Sequence, residues 1–304
     1  MDLRQLRALI AVAEHGTFSA AAKSLHTVQS NVSTHVARLE RELDTTLIDR
    51  KTNELTAEGE AVATRSRRVL SEMDAISSDV AAFRDDIRGS VRLGMIGTTG
   101  RWLLPRLLDS MAETYPGIRL VIVDATTTSL TPQLVAGQLD AAVVQLPVND
   151  PDLVTEPLFE EDRIVIAPSG HPWAKKTSVD ISDLGAHPLL CTPPGTAFRD
   201  LVDAEVRQAG SAITPLAEID GMRLLATMAF QGFGPALVPA SAAPVWLTGD
   251  WSRVRVDGLS RREVGFARPS RTTPSAPTRA VHDVLTELTE SEAAGQPGLY
   301  LPAT

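Results

Sequence analysis

At 304 residues, with 43% hydrophobic and 22% charged positions, the chain is long enough for two or three domains with their own cores and too apolar to be disordered. A single cysteine, Cys191, excludes an intrachain disulfide framework and any multi-cysteine zinc or iron–sulfur site. The net charge of −9 is uneven, because residues 1–68 hold ten Lys/Arg against nine Asp/Glu while the remainder is strongly acidic, so a cationic cluster near the start can still meet a polyanion. No run has the ~18 apolar residues of a membrane span, and Asp2, Arg4 and Arg7 interrupt what would have to be the apolar part of a secretion signal. A soluble, cytoplasmic protein with no membrane partner is expected.

Leu3, Leu6, Ile10 and Ala13 recur at helical spacing, and Gly16 ends that helix. Thr17 is the N-cap of a second short helix, Phe18–Leu25, with Phe18, Ala21, Ala22 and Leu25 on one face. A third helix runs from about Val28 to Leu43 on an inner stripe of Val32, Val36, Leu39 and Leu43. Small residues at the crossing let two helices meet at a tight turn, which is how a helix-turn-helix is built. Opposite the stripe fall Gln29, Ser30, Ser33 and Thr34, continued by Arg38 and Arg41. Alone this would read as a solvated face; after a helix, a turn and a cap it reads as side chains for base edges in a major groove, Gln29 being able to pair with adenine through two hydrogen bonds. Leu47/Ile48 and Leu55 then flank a polar tip with Arg50, Lys51 and Asn53, the pattern of a two-stranded wing meeting phosphates. Thr56 caps the next helix, with Glu58 and Glu60 in its first turn.

Along that helix Val69, Met73, Ile76, Val80, Phe83 and Ile87 follow at alternating steps of four and three, and Val62 extends the series backward. This is a heptad seam on a helix of about 46 Å, expected from Glu58 to Arg88. The seam can pack on the chain's own C-terminal part or on a second copy; its regularity favours a dimer, which would also present two recognition helices to two half-sites.

From Val91 the pattern changes to strands alternating with helices: Val91–Ile96, Trp102–Tyr115, Ile118–Asp124, Leu130–Gly137, Ala141–Gln145, and a similar run through Val264–Ala267 to a last helix at about Ala276–Glu290. Such alternation predicts a parallel sheet. Ligands in such sheets sit beyond the carboxyl ends of the strands, against helix N-termini. Thr98, Thr99, Gly100, Thr127, Thr128, Gln145, Thr192 and Thr196 are the candidate ligand contacts, with Phe198 as an apolar wall; the competing reading of the threonines is as helix caps. Hydroxyls with helix N-termini suit a small anion such as a carboxylate, for which Arg101 and Arg199 are the nearest candidate cations.

The N-terminal segment resembles the winged helix-turn-helix of LysR-type transcriptional regulators. The resemblance lies in Phe18-Ser19-Ala20-Ala21-Ala22, Gln29-Ser30 with Val32-Ser33, Leu39-Glu40 with Leu43, Leu47-Ile48-Asp49-Arg50, and Leu55-Thr56 followed by Gly59. It departs at Val28, where a hydroxyl residue usually precedes the glutamine, at Thr34, where arginine is common, and in a wing about two residues short. The remainder is similar to the effector-binding domain of that family, with Thr98-Thr99-Gly100, Leu104-Pro105, Tyr115-Pro116, Leu139-Asp140 and Gly170-His171-Pro172. The resemblance implies a winged helix-turn-helix over 1–58, a dimerisation helix over 59–89, and an α/β domain of periplasmic-binding-protein type over 90–292. That domain would divide into subdomain I (90–165 and 268–292) and subdomain II (166–267), hinged near Ile164–Ala167 and Gly265–Arg268, with 293–304 as a tail. It further implies a homodimer or homotetramer that binds promoter DNA, responds to a small-molecule effector and acts on RNA polymerase.

An enzyme is the first rival, but no GxxxxGK[ST], HExxH or GxSxG motif occurs and the six histidines have no metal-ligand spacing. No catalytic residue, metal or cofactor is therefore expected, and Cys191 reads as a small buried hydrophobe, with a reactive redox-sensing thiol as the alternative. A small-molecule-binding protein of solute-binding type without a transcriptional role is the second rival, opposed by the N-terminal 88 residues.

Overall fold

The computed structural model describes residues 1–84 and 86–302. Helix α1 (Leu3–His15) starts in a capping box, Asp2 accepting from the Gln5 amide while the Gln5 side chain accepts from the Asp2 amide, and ends on Gly16 in the left-handed region. Helix α2 (Phe18–Ser24) is capped by Thr17, and α3 spans Gln29–Leu43. Leu9, Val12, Ala21, Val36 and Leu39 close a core that α4 (Ala57–Ala82) completes with Ala63. Gly59 is required there, because a Cβ would stand 2.0 Å from the Leu47 carbonyl oxygen.

Sequence expectations are corrected at several points of this half. Val28 is the N-cap of α3 and makes no side-chain bond; Thr27 accepts from the Asn31 side-chain amide at 3.0 Å and leaves the first-turn backbone N–H groups uncapped by side chains. Leu43 is 39% exposed at the helix end and not part of the stripe. The wing reduces to one bridge between Ile48 and Leu55, closed by Asn53 at φ 59° donating its amide to the Asp49 carbonyl at 2.8 Å. Helix α4 stops at Ala82 and not at Arg88, because Ile87 and Arg88 run along Gly117 to bring Gly89 into the first strand. Ile87 is therefore half-buried and outside the helix, and Val62 packs on the N-terminal core. The rest of the seam, Val69, Met73, Ile76, Val80 and Phe83, is exposed, Phe83 by 90%.

The C-terminal part begins with β1 (Gly89–Met95), α5 (Gly97–Thr114), β2 (Ile118–Asp124), α6 (Thr127–Val135), β3 (Ala141–Gln145) and β4 (Leu153–Glu161). There follow β5 (Arg163–Pro168), β6 (Ser178–Asp180), β7 (Leu189–Cys191), α7 (Ala197–Gln208), β8 (Pro215–Glu218), α8 (Met222–Phe230), β9 (Ala236–Pro239) and β10 (Trp251–Asp257). The chain returns through β11 (Arg262–Pro269), α9 (Ala276–Ala293) and β12 (Leu299–Tyr300). Two six-stranded sheets result, ordered β12-β4-β11-β3-β1-β2 and β6-β10-β5-β9-β7-β8. Both are mixed and not parallel: β1 runs parallel to β2 and β3, whereas β11 is antiparallel to β3 and β4, and β5 to β9 and β10. The cause is that the chain crosses between the sheets twice: β5 opens the second sheet antiparallel to the later β9 and β10, and β11 returns to the first sheet antiparallel to β3 and β4.

The crossings fall at Asp162 and at 258–261, several residues before the expected second hinge, since β11 already pairs with β3 and β4. β12 pairs with β4, so the tail joins the first sheet. Charge is buried at these crossings. Glu161, fully buried, lies 3.4 Å from Arg262 and accepts from the Ser241 amide at 2.7 Å. Arg163 donates to the Ser260 carbonyl at 2.6 Å and to Glu205 at 3.3 Å. Burial pulls both guanidinium pKa values down against the pull of their carboxylates. The geometry makes Glu161 indispensable: Glu161→Gln leaves Arg262 buried and uncompensated, and urea denaturation of the full chain should show a loss of about 3–5 kcal/mol. A loss under ~1 kcal/mol would show that the crossing does not depend on this pair.

Candidate nucleic-acid interface and effector cleft

The outer face of α3 carries Gln29, Ser30, Thr34, Arg38 and Arg41 exposed, with Ser33 half-buried beside them. They share that face because Val32, Val36 and Leu39 hold the opposite one in the core. Glu40 then locks the wing to the helix: its Oε1 accepts from the Leu47 and Ile48 amides at 3.0 and 3.2 Å, and its Oε2 accepts from Arg50 at 2.7 Å. Arg50 also lies over the Phe18 ring at 4.7 Å. Arg50 is thus a brace between wing and helices and not a free cation at the tip, a role that sequence reading missed; the Leu39-Glu40 signature was its only trace. Lys51 is exposed and makes no ion pair among the described residues, and Asn53 shapes the turn. The resulting surface is a helix N-terminus with free N–H groups, short polar side chains, and cations further along. Such a surface can seat on phosphates and reach base edges.

In the C-terminal part, α5 starts directly after β1, and Ile96 at its N-cap gives no side-chain bond. Thr98 and Thr99 occupy the first turn, 2% and 0% exposed, and neither hydroxyl has a hydrogen-bond partner among the described residues. Gly100 follows in the same turn. The other predicted threonines are used by the fold. Thr127 Oγ1 accepts from the Gln145 amide at 3.0 Å, tying α6 to the end of β3. Thr128 pairs with Thr126 at 2.9 Å. Thr196 caps α7 and donates to Thr192 at 3.0 Å. Phe198 is buried in the core of the second sheet and is not a cleft wall.

The two candidate arginines part company. Arg199 is 6% exposed and clamped between Asp203 at 2.8 Å and Glu218 at 3.3 Å; it also donates to the Cys191 sulfur at 3.0 Å and to the Thr192 carbonyl at 2.7 Å. It is a structural cation of the second sheet, turned from the expected role by two acids that cancel it. Burial pushes the Cys191 thiol up despite this guanidinium. Arg101, by contrast, reaches from α5 to the Ala242 carbonyl at 3.1 Å and to the Thr227 hydroxyl and Arg223 carbonyl at 3.3 Å. No carboxylate partners it among the described residues. Sequence reading missed Arg223 altogether; on α8 it forms an ion pair with Asp124, at the carboxyl end of β2. Burial, with Arg223 adding to it, holds the Arg101 guanidinium pKa below its usual value.

The family model "Bacterial regulatory helix-turn-helix protein, lysR family" matches residues 3–60, and "LysR substrate binding domain" matches residues 84–290. A probable hydrogen peroxide-inducible genes activator of Mycobacterium leprae is 34% identical over 302 residues, 94% of each chain. The DNA-binding transcriptional dual regulator OxyR of Escherichia coli is 30% identical over 246 residues, 80% of this chain and 81% of that one. Among solved structures, a full-length OxyR of Pseudomonas aeruginosa with one cysteine replaced by aspartate superposes with a TM-score of 0.76 at 27% identity over 95% of both chains. CbnR bound to its target DNA does so with a TM-score of 0.68 at 25% identity, over 96% of this chain and 100% of that one. With the helix-turn-helix, the linking helix and the two-sheet domain in this order along nearly its whole length, the chain belongs to the LysR family of DNA-binding transcriptional regulators.

Proposed function

We propose that this regulator binds promoter DNA as a homodimer or homotetramer, and that a small anion, a carboxylate by preference, is the effector that seats on the first turn of α5. The observation that carries the effector reading is the pair Thr98 and Thr99. A buried hydroxyl without a partner costs roughly 1–3 kcal/mol, and two in succession at a helix N-terminus without a side-chain cap support the reading of a ligand that satisfies them. The half-buried Arg101 beside them supplies positive charge. On DNA, α3 lies in the major groove with Gln29, Ser30, Ser33 and Thr34 toward the bases, while Arg38, Lys51 and the free amides of its first turn meet phosphates. Such a protein works in the cytoplasm and acts through RNA polymerase.

Similarity to proteins named for hydrogen peroxide raises a thiol switch as a second reading. Cys191 opposes it. It is the one cysteine of the chain, 3% exposed, with a thiol pKa raised by burial, and reactive thiols are exposed and depressed in pKa.

Two measurements test the proposal. In binding titrations on the selected operator and on random duplex, Gln29→Ala should narrow the ratio of the two affinities. Lys51→Ala should weaken both alike and flatten the slope of log K against log salt by about 0.9; equal losses on both duplexes for Gln29→Ala would remove the assigned reading face. In the cleft, the double variant Thr98→Val with Thr99→Val should be at least as stable as the parent, since it deletes two unsatisfied hydroxyls. The same variant should lose the thermal stabilisation that small organic acids give the parent. A variant that is destabilised yet still stabilised by the acids would show that the hydroxyls serve the core.

A further inference from the structure

Deepening the effector reading and resting on it, we infer that Asp124 is a built-in occupant of the anion position, holding Arg223 and the start of α5 until an external anion displaces it. A Cβ on Gly97, the first residue of α5, would lie 2.8 Å from Asp124 Oδ1 and 3.0 Å from Arg223 Nε. The ion pair therefore rests directly on the N-terminus of an 18-residue helix. That is where a carboxylate is favoured, both by the helix dipole and by N–H groups that no side chain caps.

The charge inventory shows that one carboxylate is too few. Arg223 is the second residue of α8, and Gly221, its N-cap, offers no side-chain acceptor, so this guanidinium sits at the helix end where the dipole disfavours a cation. Arg101 adds a second guanidinium close enough to be felt, its Nη2 donating to the Arg223 carbonyl. Against two guanidiniums and two helix N-termini stands Asp124 alone. Asp220, exposed just before α8, pairs with neither among the described residues. The buried hydroxyls of Thr98 and Thr99 lie in the same first turn of α5, unsatisfied.

Asp124 belongs to the first sheet and Arg223 follows β8 of the second, so the pair is also a tie between the two subdomains. An anion that takes Arg223 frees Asp124 and replaces a tie between protein groups with a bridge through the ligand. Occupancy and subdomain geometry are thereby one equilibrium.

Acetate and sulfate serve as monovalent and divalent probes, titrated into the full chain with thermal unfolding and calorimetry as readouts. Asp124→Asn, which removes the internal competitor, should bind at least one probe tenfold or more tightly than the parent. Arg223→Gln should bind tenfold or more weakly, and Arg223→Lys should fall between. The double variant should lose the gain of Asp124→Asn. Asp220→Asn controls for net charge and should stay within twofold of the parent. Unchanged affinity in Asp124→Asn, or an equal gain in Asp220→Asn, would overturn the inference. Should Asp124→Asn gain affinity while operator binding ignores the probe, the displacement stands and the effector reading falls.

Discussion

A stripe of apolar side chains that the chain does not cover is the constraint on which the rest depends. Val69, Met73, Ile76 and Val80 along α4, and Phe83 at its C-cap, follow one another at heptad spacing and stay exposed, although α4 is anchored at both ends. Its first turns close the N-terminal core through Ala63, with Val62 packed alongside. Farther along, Arg68 donates to the Val135 carbonyl at 2.7 Å, and Asp79 accepts from the Ala276 amide at 2.8 Å. With those faces committed, the seam stays uncovered within the chain, and we propose that another copy of the chain covers it, as heptad seams generally pair. A reading helix that binds weakly alone becomes selective when a rigid partner fixes the spacing of two half-sites.

The same anchors tie α4 to the layer of the first sheet. Helix α6 begins at Thr127, bonded to the end of β3, and its final carbonyl is held by Arg68 of α4. Asp79 supplies to α9 the cap that Ser275 does not. Two elements of the first sheet's layer therefore end on the linking helix. The second sheet is joined to the first through a continuous apolar core and the buried Glu161–Arg262 crossing. Buried ion pairs are poor sources of stability but strong sources of geometric definition when breaking one leaves the other charge stranded. At a joint between two subdomains, definition is what is needed.

Much of this was legible in the amino acids because it rests on local physics. The capping of α1 and α2, the apolar stripe of α3 and the seam of α4 each follow from spacing and turn chemistry within a few residues. What was not legible depends on long-range closure. No local pattern marks the antiparallel return of β11 between β3 and β4, or the early end of α4 against Gly117. Charges were the hardest to place. Arg50, Arg199 and Arg223 look alike in sequence, yet one braces the wing through Glu40, one is cancelled by Asp203 and Glu218, and one meets Asp124 at a helix N-terminus. Each role is set by an acid 10 to 99 positions away or by one four residues along, and the partner, not the arginine, decides it.

Sedimentation equilibrium of the intact chain, alone and on duplex DNA carrying its selected site, tests the central claim most directly. The account predicts particles of two or four 32.6 kDa chains, reduced to single chains when Ile76 and Val80 are both replaced by aspartate, with loss of the paired half-site footprint. A single chain that protects both half-sites with its seam intact would contradict it.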